Sequence, residues 1–91
     1  MNPIIFDLLK TYYEEIERCP ASDREIIVLK NMKNRFLERY VDMIRQVCTL
    51  SGHEYKIKHD DLLSRIEKAE IVLIEVIKEL IEAIKEKPNA H

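Results

Sequence analysis

The side chains that could coordinate a metal are few and lie far apart. Three histidines, His53, His59 and His91, and two cysteines, Cys19 and Cys48, are the possible zinc ligands. Zinc sites use closely and regularly spaced ligands, and these residues are spaced too widely and too loosely for one. We therefore expect no metal site. If the cysteines end neighbouring antiparallel helices, they lie too far apart for an intrachain disulfide, so two reduced thiols are favoured and a bridge between two chains is the alternative.

Paired carboxylates could bind a cation. A row of acidic residues recurs at helical spacing near the end of the chain: Glu75, Glu79, Glu82 and Glu86. Lys78 and Lys85 lie among them and favour ordinary surface ion pairs. The sequence contains no Ser–His–Asp or Cys–His arrangement and no phosphate-binding loop. We predict a protein that is not an enzyme and that uses no cofactor and no small-molecule substrate.

Basic side chains could contact nucleic acid or an acidic partner. The candidates are Lys30, Arg35, Arg39, Arg45, Lys56 and Lys58. The net charge of the whole chain is -2, so no global field draws it to phosphate. On a helical wheel the cations scatter, and no aromatic residue lies among them to stack on bases. A solvated, ion-paired surface is favoured, and a small nucleic-acid-associated regulator is the alternative. Lys33 alone falls inside the apolar arc, where it could snorkel or face an acid on a partner.

Composition indicates one small helical domain over residues 1–91. The 91 residues are 46% hydrophobic and 35% charged, and they include one glycine, which leaves few tight turns. No apolar run is long enough to span a membrane, and the first residues lack the basic stretch of a signal peptide. We expect a cytoplasmic protein that does not enter a membrane.

Start and stop signals predict three helices, at about residues 3–18, 22–50 and 60–87. Asn2 and Pro3 are a favoured cap and first residue, and Ser22 with Glu25 forms a capping box. Residues 52–59 alternate apolar and basic side chains, which predicts an extended linker. Asp60 or Asp61 would then cap the third helix.

The third helix organises the chain because its apolar residues repeat in steps of three and four and form a face too wide for one neighbour. The first helix is too short to cover the other two along their length. This mismatch leaves eight apolar or aromatic residues for an interface: Tyr40, Val41, Met43, Ile44, Val47, Leu62, Leu63 and Ile66. We predict an all-α antiparallel three-helix unit with two long helices, completed by homo-oligomeric packing or by a helical partner.

Two segments resemble the helical domain of the GINS replication family. Residues 5–17 (IFDLLKTYYEEIE) look like its aromatic and acidic first helix. Residues 29–35 (LKNMKNR) and 37–44 (LERYVDMI) are similar to its long second helix. The resemblance covers about half of the chain and implies a helical subunit that assembles with others at the replication fork and performs no chemistry itself.

Overall fold

A computed structural model describes residues 2–17 and 23–86, and helices account for nearly all of them. The helices are α1 (Pro3–Ile16), α2 (Arg24–Thr49) and α3 (Gly52–Glu86). These two stretches contain no strand, so the all-α prediction is confirmed. The molecule measures 57 × 21 × 16 Å, and the 35 residues of α3 span nearly its whole length, about 52 Å at the usual helical rise.

Side-chain caps fix the starts of α1 and α2. Asn2 caps α1 as predicted, because its Oδ1 accepts the backbone N–H of Ile4 at 2.9 Å. In α2 the cap is Asp23 and not Ser22, which lies outside the described residues. The Asp23 carboxylate accepts the backbone N–H of Ile26 at 3.2 Å and satisfies one donor of the first turn.

The connection between α2 and α3 is far shorter than predicted. Gly52, the first residue of α3, has φ of +59°, a left-handed conformation that only glycine adopts at little cost. This one residue turns the chain, and the backbone N–H of Tyr55 already donates to the carbonyl of Ser51 at 3.4 Å. The prediction of an extended linker over residues 52–59 is therefore wrong. Asp60 and Asp61 lie inside α3 and do not cap it.

Contacts between neighbouring turns explain why residues 52–59 are helical. Lys58 Nζ lies 3.8 Å from Glu54 Oε1, and the rings of Tyr55 and His59 stack with centroids 4.3 Å apart. Both pairs are four residues apart, a spacing that brings side chains together on a helix and separates them on a strand. Tyr55 and Ile57 alternate with lysines as residues of a strand would, but the alternation covers too few residues to distinguish a strand from a helix.

The core lies at one end of the molecule. Both α1 and α2 pack against α3, while no Cα atom of α1 comes within 8 Å of one in α2. Seven of the eight buried residues of α3 fall between Leu73 and Ile84, and only Leu62 precedes them. The core also contains Ile5 and Tyr12 of α1 and Ile26 and Tyr40 of α2. Both α1 and α2 therefore pack against the second half of α3, and α2 alone accompanies its first half.

Candidate interaction surfaces

The hydroxyl of Tyr40 joins all three helices at the level where α1 begins. Tyr40 is 0% exposed, and its hydroxyl donates to Glu70 Oε2 of α3 at 2.9 Å. The same oxygen accepts the backbone N–H of Asn2, the cap of α1, at 3.2 Å. Burial, foremost, and the Glu70 carboxylate raise the pKa of Tyr40 above 10.0, against the opposing effect of the Asn2 N–H. This junction marks the boundary between the three-helix and two-helix parts.

Lys33 fills the space between α1 and α2. Its side chain is 3% exposed, and Nζ lies 4.4 Å from the ring centroid of Tyr12 and 5.4 Å from that of Tyr13. These distances are typical of cation–π contacts. Burial, with a smaller effect of Lys30, lowers the pKa of Lys33 below 10.5. Lys33 thus packs against aromatic rings of α1, whereas the sequence led us to expect that it reaches solvent or faces an acid on a partner.

The contacts of α1 define which part of the α2–α3 hairpin it covers. Asn2 meets Tyr40 and Tyr12 meets Lys33, so α1 runs antiparallel to α2 and away from the hairpin turn. Its 14 residues reach about 21 Å. Residues 41–49 of α2 and 52–69 of α3 therefore form a two-helix segment. We call this segment the open half of the hairpin.

The structure divides the eight predicted interface residues into two groups. Tyr40, at 0% exposure, and Leu62, at 7%, are buried within the single chain, so their prediction as uncovered residues is wrong. Tyr40 turns inward because it joins the three helices, and Leu62, although outside the core cluster, lies on the same side of α3 as the core residue Leu73. The other six keep partial or full exposure in the open half: Val41, Met43, Ile44, Val47, Leu63 and Ile66.

A groove of about 400 Å³ lies between α2 and α3 at the edge of the open half. Its apolar wall is formed by Phe36, Met43, Ala69 and Val72. Its charged residues are all basic: Arg39, Arg65 and Lys68. Arg65 also pairs with Asp61, one turn earlier, at 3.2 Å between Nε and Oδ2. A groove with an apolar wall and basic side chains at its rim suits an amphipathic helix with acidic flanks.

The six predicted nucleic-acid contacts do not form one basic surface. Arg35, Arg39 and Arg45 line a shallow depression on the outer side of α2, but Glu38 and Asp42 lie between them. Lys30 is exposed nearer the start of α2. Lys56 and Lys58 belong to α3 and not to a loop, and Lys58 pairs with Glu54. Alternating signs weaken attraction to phosphate, because each acid repels the backbone that its neighbours attract.

Ionisable residues elsewhere form ordinary surface contacts. Glu75, Glu79, Glu82 and Glu86 are all exposed on α3. His59 Nδ1 lies 3.4 Å from the carboxylate of Asp60, and Cys48 is a free, exposed thiol. Over residues 2–17 and 23–86, no group of histidine, cysteine, aspartate and glutamate side chains is arranged to hold a metal ion. Cys19 and His91 lie outside the described residues.

None of the described helices combines the length and apolarity needed to cross a bilayer. Comparison with protein-family models, with curated proteins and with solved structures finds no match.

Proposed function

We propose that this chain is a non-catalytic helical interaction module of the cytoplasm that associates with a second copy of itself or with a helical partner. One observation carries the proposal: α1 covers one half of the hairpin, while the open half keeps six apolar residues at least partly exposed. Apolar surface of this kind, next to a basic-rimmed groove, is typical of protein interfaces. The resemblance to the GINS family extends the proposal to a subunit of a DNA-replication assembly, on sequence pattern alone.

The test compares two charge insertions by sedimentation over a wide range of protein concentration. Met43→Asp places a carboxylate in the groove wall of the open half and should weaken association at least about tenfold. Val28→Asp is the matched control, because Val28 is an exposed valine of α2 at the three-helix end. It should leave association unchanged.

Circular dichroism separates loss of association from loss of folding. Both variants should keep the helical signal of the parent chain, because Val28 is exposed and Met43 only partly buried. A parent chain that sediments at 10.9 kDa at every concentration would contradict self-association. An equal loss in both variants would contradict the assignment to the open half.

A further inference from the structure

One side of α3, at the edge of the groove, carries exposed residues whose charge changes sign halfway along. Steps of three, four and seven residues keep side chains on one side of a helix, and they connect Lys58, Arg65 and Lys68, then Val72, then Glu75, Glu79 and Glu86. All seven are exposed. We call this row the charge stripe. It has a basic end near the hairpin turn, an acidic end at the three-helix part, and a valine between them.

The spacing on either side of Val72 is nearly symmetric. Arg65 lies seven residues before Val72, and Glu79 lies seven after it. Lys58 and Glu86 lie fourteen residues before and after. Lys68 precedes Val72 by four residues and Glu75 follows it by three. A basic residue on one side is thus matched by an acidic residue at an equal or nearly equal distance on the other.

We infer that the partner of this surface is a second copy of the chain, with the two α3 helices antiparallel across a two-fold axis at Val72. The inference rests on the proposed function and names the partner and its register. A two-fold axis brings each position against the position equally far on the other side of Val72. Arg65 then faces Glu79 and Lys58 faces Glu86, while Lys68 lies one position from facing Glu75, and the axis forms each pair twice.

Electrostatics favour this arrangement over the alternatives. In a parallel pair the basic ends would face each other, as would the acidic ends, and like charges held together disfavour association. A nucleic acid would meet the repulsion of the acidic end. An antiparallel second copy places opposite charges against both the basic end and the acidic end of the charge stripe.

The groove adds one further cation to the basic end, which favours an acidic occupant there. Arg65, Lys68 and Val72 belong both to the charge stripe and to the groove lining, and Arg39 of α2 adds a further cation beside them. The acidic end of a second α3 placed over the stripe would lie along this basic rim. Val72, which is 41% exposed, would meet its own copy at the axis next to the apolar wall that includes Met43.

Two residues oppose the pattern. Glu54 is exposed, lies eighteen residues before Val72 on the same side of α3, and already pairs with Lys58. Asp61 is an acid within the basic end, and the antiparallel register brings it near Glu82 of the second copy. Asp61 already pairs with Arg65, and both side chains are well exposed, so the repulsion is screened by solvent and salt.

The first experiment exchanges charges across the proposed axis. Arg65→Glu and Glu79→Arg should each weaken self-association at least about tenfold, because each homodimer then contains two like-charge contacts. An equimolar mixture of the two variants should restore parental affinity, because both contacts in the mixed dimer again join opposite charges. A parallel pair would also join opposite charges in the mixture, but its two single variants would keep the like-charge contacts of the parent and would not be weakened. Loss of association in both variants together with rescue in the mixture therefore identifies the antiparallel register. Sedimentation measures all three samples, and the parental dimer should also weaken as salt rises.

The second experiment tests the axis itself. In a Cys19→Ser/Cys48→Ser background, Val72→Cys should form a disulfide between two chains under mild oxidation, because the two-fold axis brings the position against its own copy. Lys78→Cys is the control. Lys78 is exposed on α3 but lies about 120° around the helix from Val72. It should remain a monomer on a non-reducing gel.

The outcomes separate this inference from the proposed function. A parental dimer that Met43→Asp weakens, but that shows no rescue in the mixture and no disulfide at position 72, would overturn the register and leave the interaction module standing. A parental chain that stays monomeric at every concentration would overturn both. Loss of association in both single variants, rescue in their mixture and the disulfide at position 72 would together establish the antiparallel dimer.

Discussion

Replacing Tyr40 with phenylalanine should destabilise the fold by removing one oxygen. The ring of Tyr40→Phe still fills the core, so no cavity forms. Two hydrogen bonds are lost, one to the Glu70 carboxylate at 2.9 Å and one from the Asn2 N–H at 3.2 Å. A bond to a charged group contributes about 1.5–3 kcal/mol and a neutral one about 0.5–1.5 kcal/mol. Because Glu70 and Asn2 are partly exposed and can bind water, we expect a net loss of about 2 kcal/mol.

That loss is large for a chain of this size. Domains of similar length are stable by roughly 5–15 kcal/mol, and 1 kcal/mol moves the melting temperature by about 4–8 °C. Tyr40→Phe should therefore melt roughly 8–16 °C below the parent chain by circular dichroism. Tyr13→Phe, at an exposed tyrosine, is the matched control and should change stability by less than about 0.5 kcal/mol. Equal melting temperatures for the parent and Tyr40→Phe would refute the three-helix junction.

The pH dependence gives the same prediction a second readout. Since the pKa of Tyr40 is raised above 10.0, the folded chain retains a proton that the unfolded chain has lost in alkaline solution. The stability that Tyr40 contributes is complete below about pH 10 and is lost as pH rises through the folded pKa. The difference in unfolding free energy between the parent and Tyr40→Phe should be constant near neutral pH and shrink above pH 10. A difference that grows there would contradict the sign of the shift.

Two further substitutions test other parts of the fold. Lys33→Met should stabilise the chain by about 1 kcal/mol at pH 7, because it keeps the aliphatic packing and removes a buried charge. Since the pKa of Lys33 is lowered, this gain in unfolding free energy should shrink as pH approaches 10.5. Urea unfolding at both pH values measures the change. Destabilisation at pH 7 would mean that the contact with the Tyr12 ring outweighs desolvation. Gly52→Ala should cost about 1–2 kcal/mol, because alanine must adopt a φ of +59° although its Cβ would have free space. Gly52→Asn should cost less, and a Gly52→Ala chain as stable as the parent in thermal melts would contradict the left-handed turn.

The helices could be predicted because local signals determine them. The α1 start at Asn2 and Pro3 and the α2 end before Gly52 follow from capping and turn chemistry, which involve residues within one turn of each other. The start of α3 was missed by eight residues for a related reason. A lone glycine was interpreted as the stop of one helix, whereas its left-handed φ also allows the next helix to begin at once.

The junction could not be predicted because its partners are distant in sequence. Tyr40 is 38 residues from Asn2 and 30 from Glu70, and nothing in the local pattern of α2 separates it from neighbouring apolar positions. Lys33 was recognised as unusual because it lies in an apolar arc, but its aromatic neighbours are on another helix. Apolar periodicity identifies which side of a helix is buried, but only the folded structure shows which residues pack against that side.

Three transitions coincide at one level of the molecule. Helix α1 begins there, since its cap Asn2 meets Tyr40. The dense buried segment of α3 also begins there, because Leu73 is its first residue and Glu70 is only partly buried. The charge stripe changes sign at Val72, within one turn of both. If the charges of α3 served solubility alone, their sign would have no reason to change where the chain's own packing ends. An antiparallel second copy supplies that reason, because it brings the acidic end of one α3 over the open half of the other.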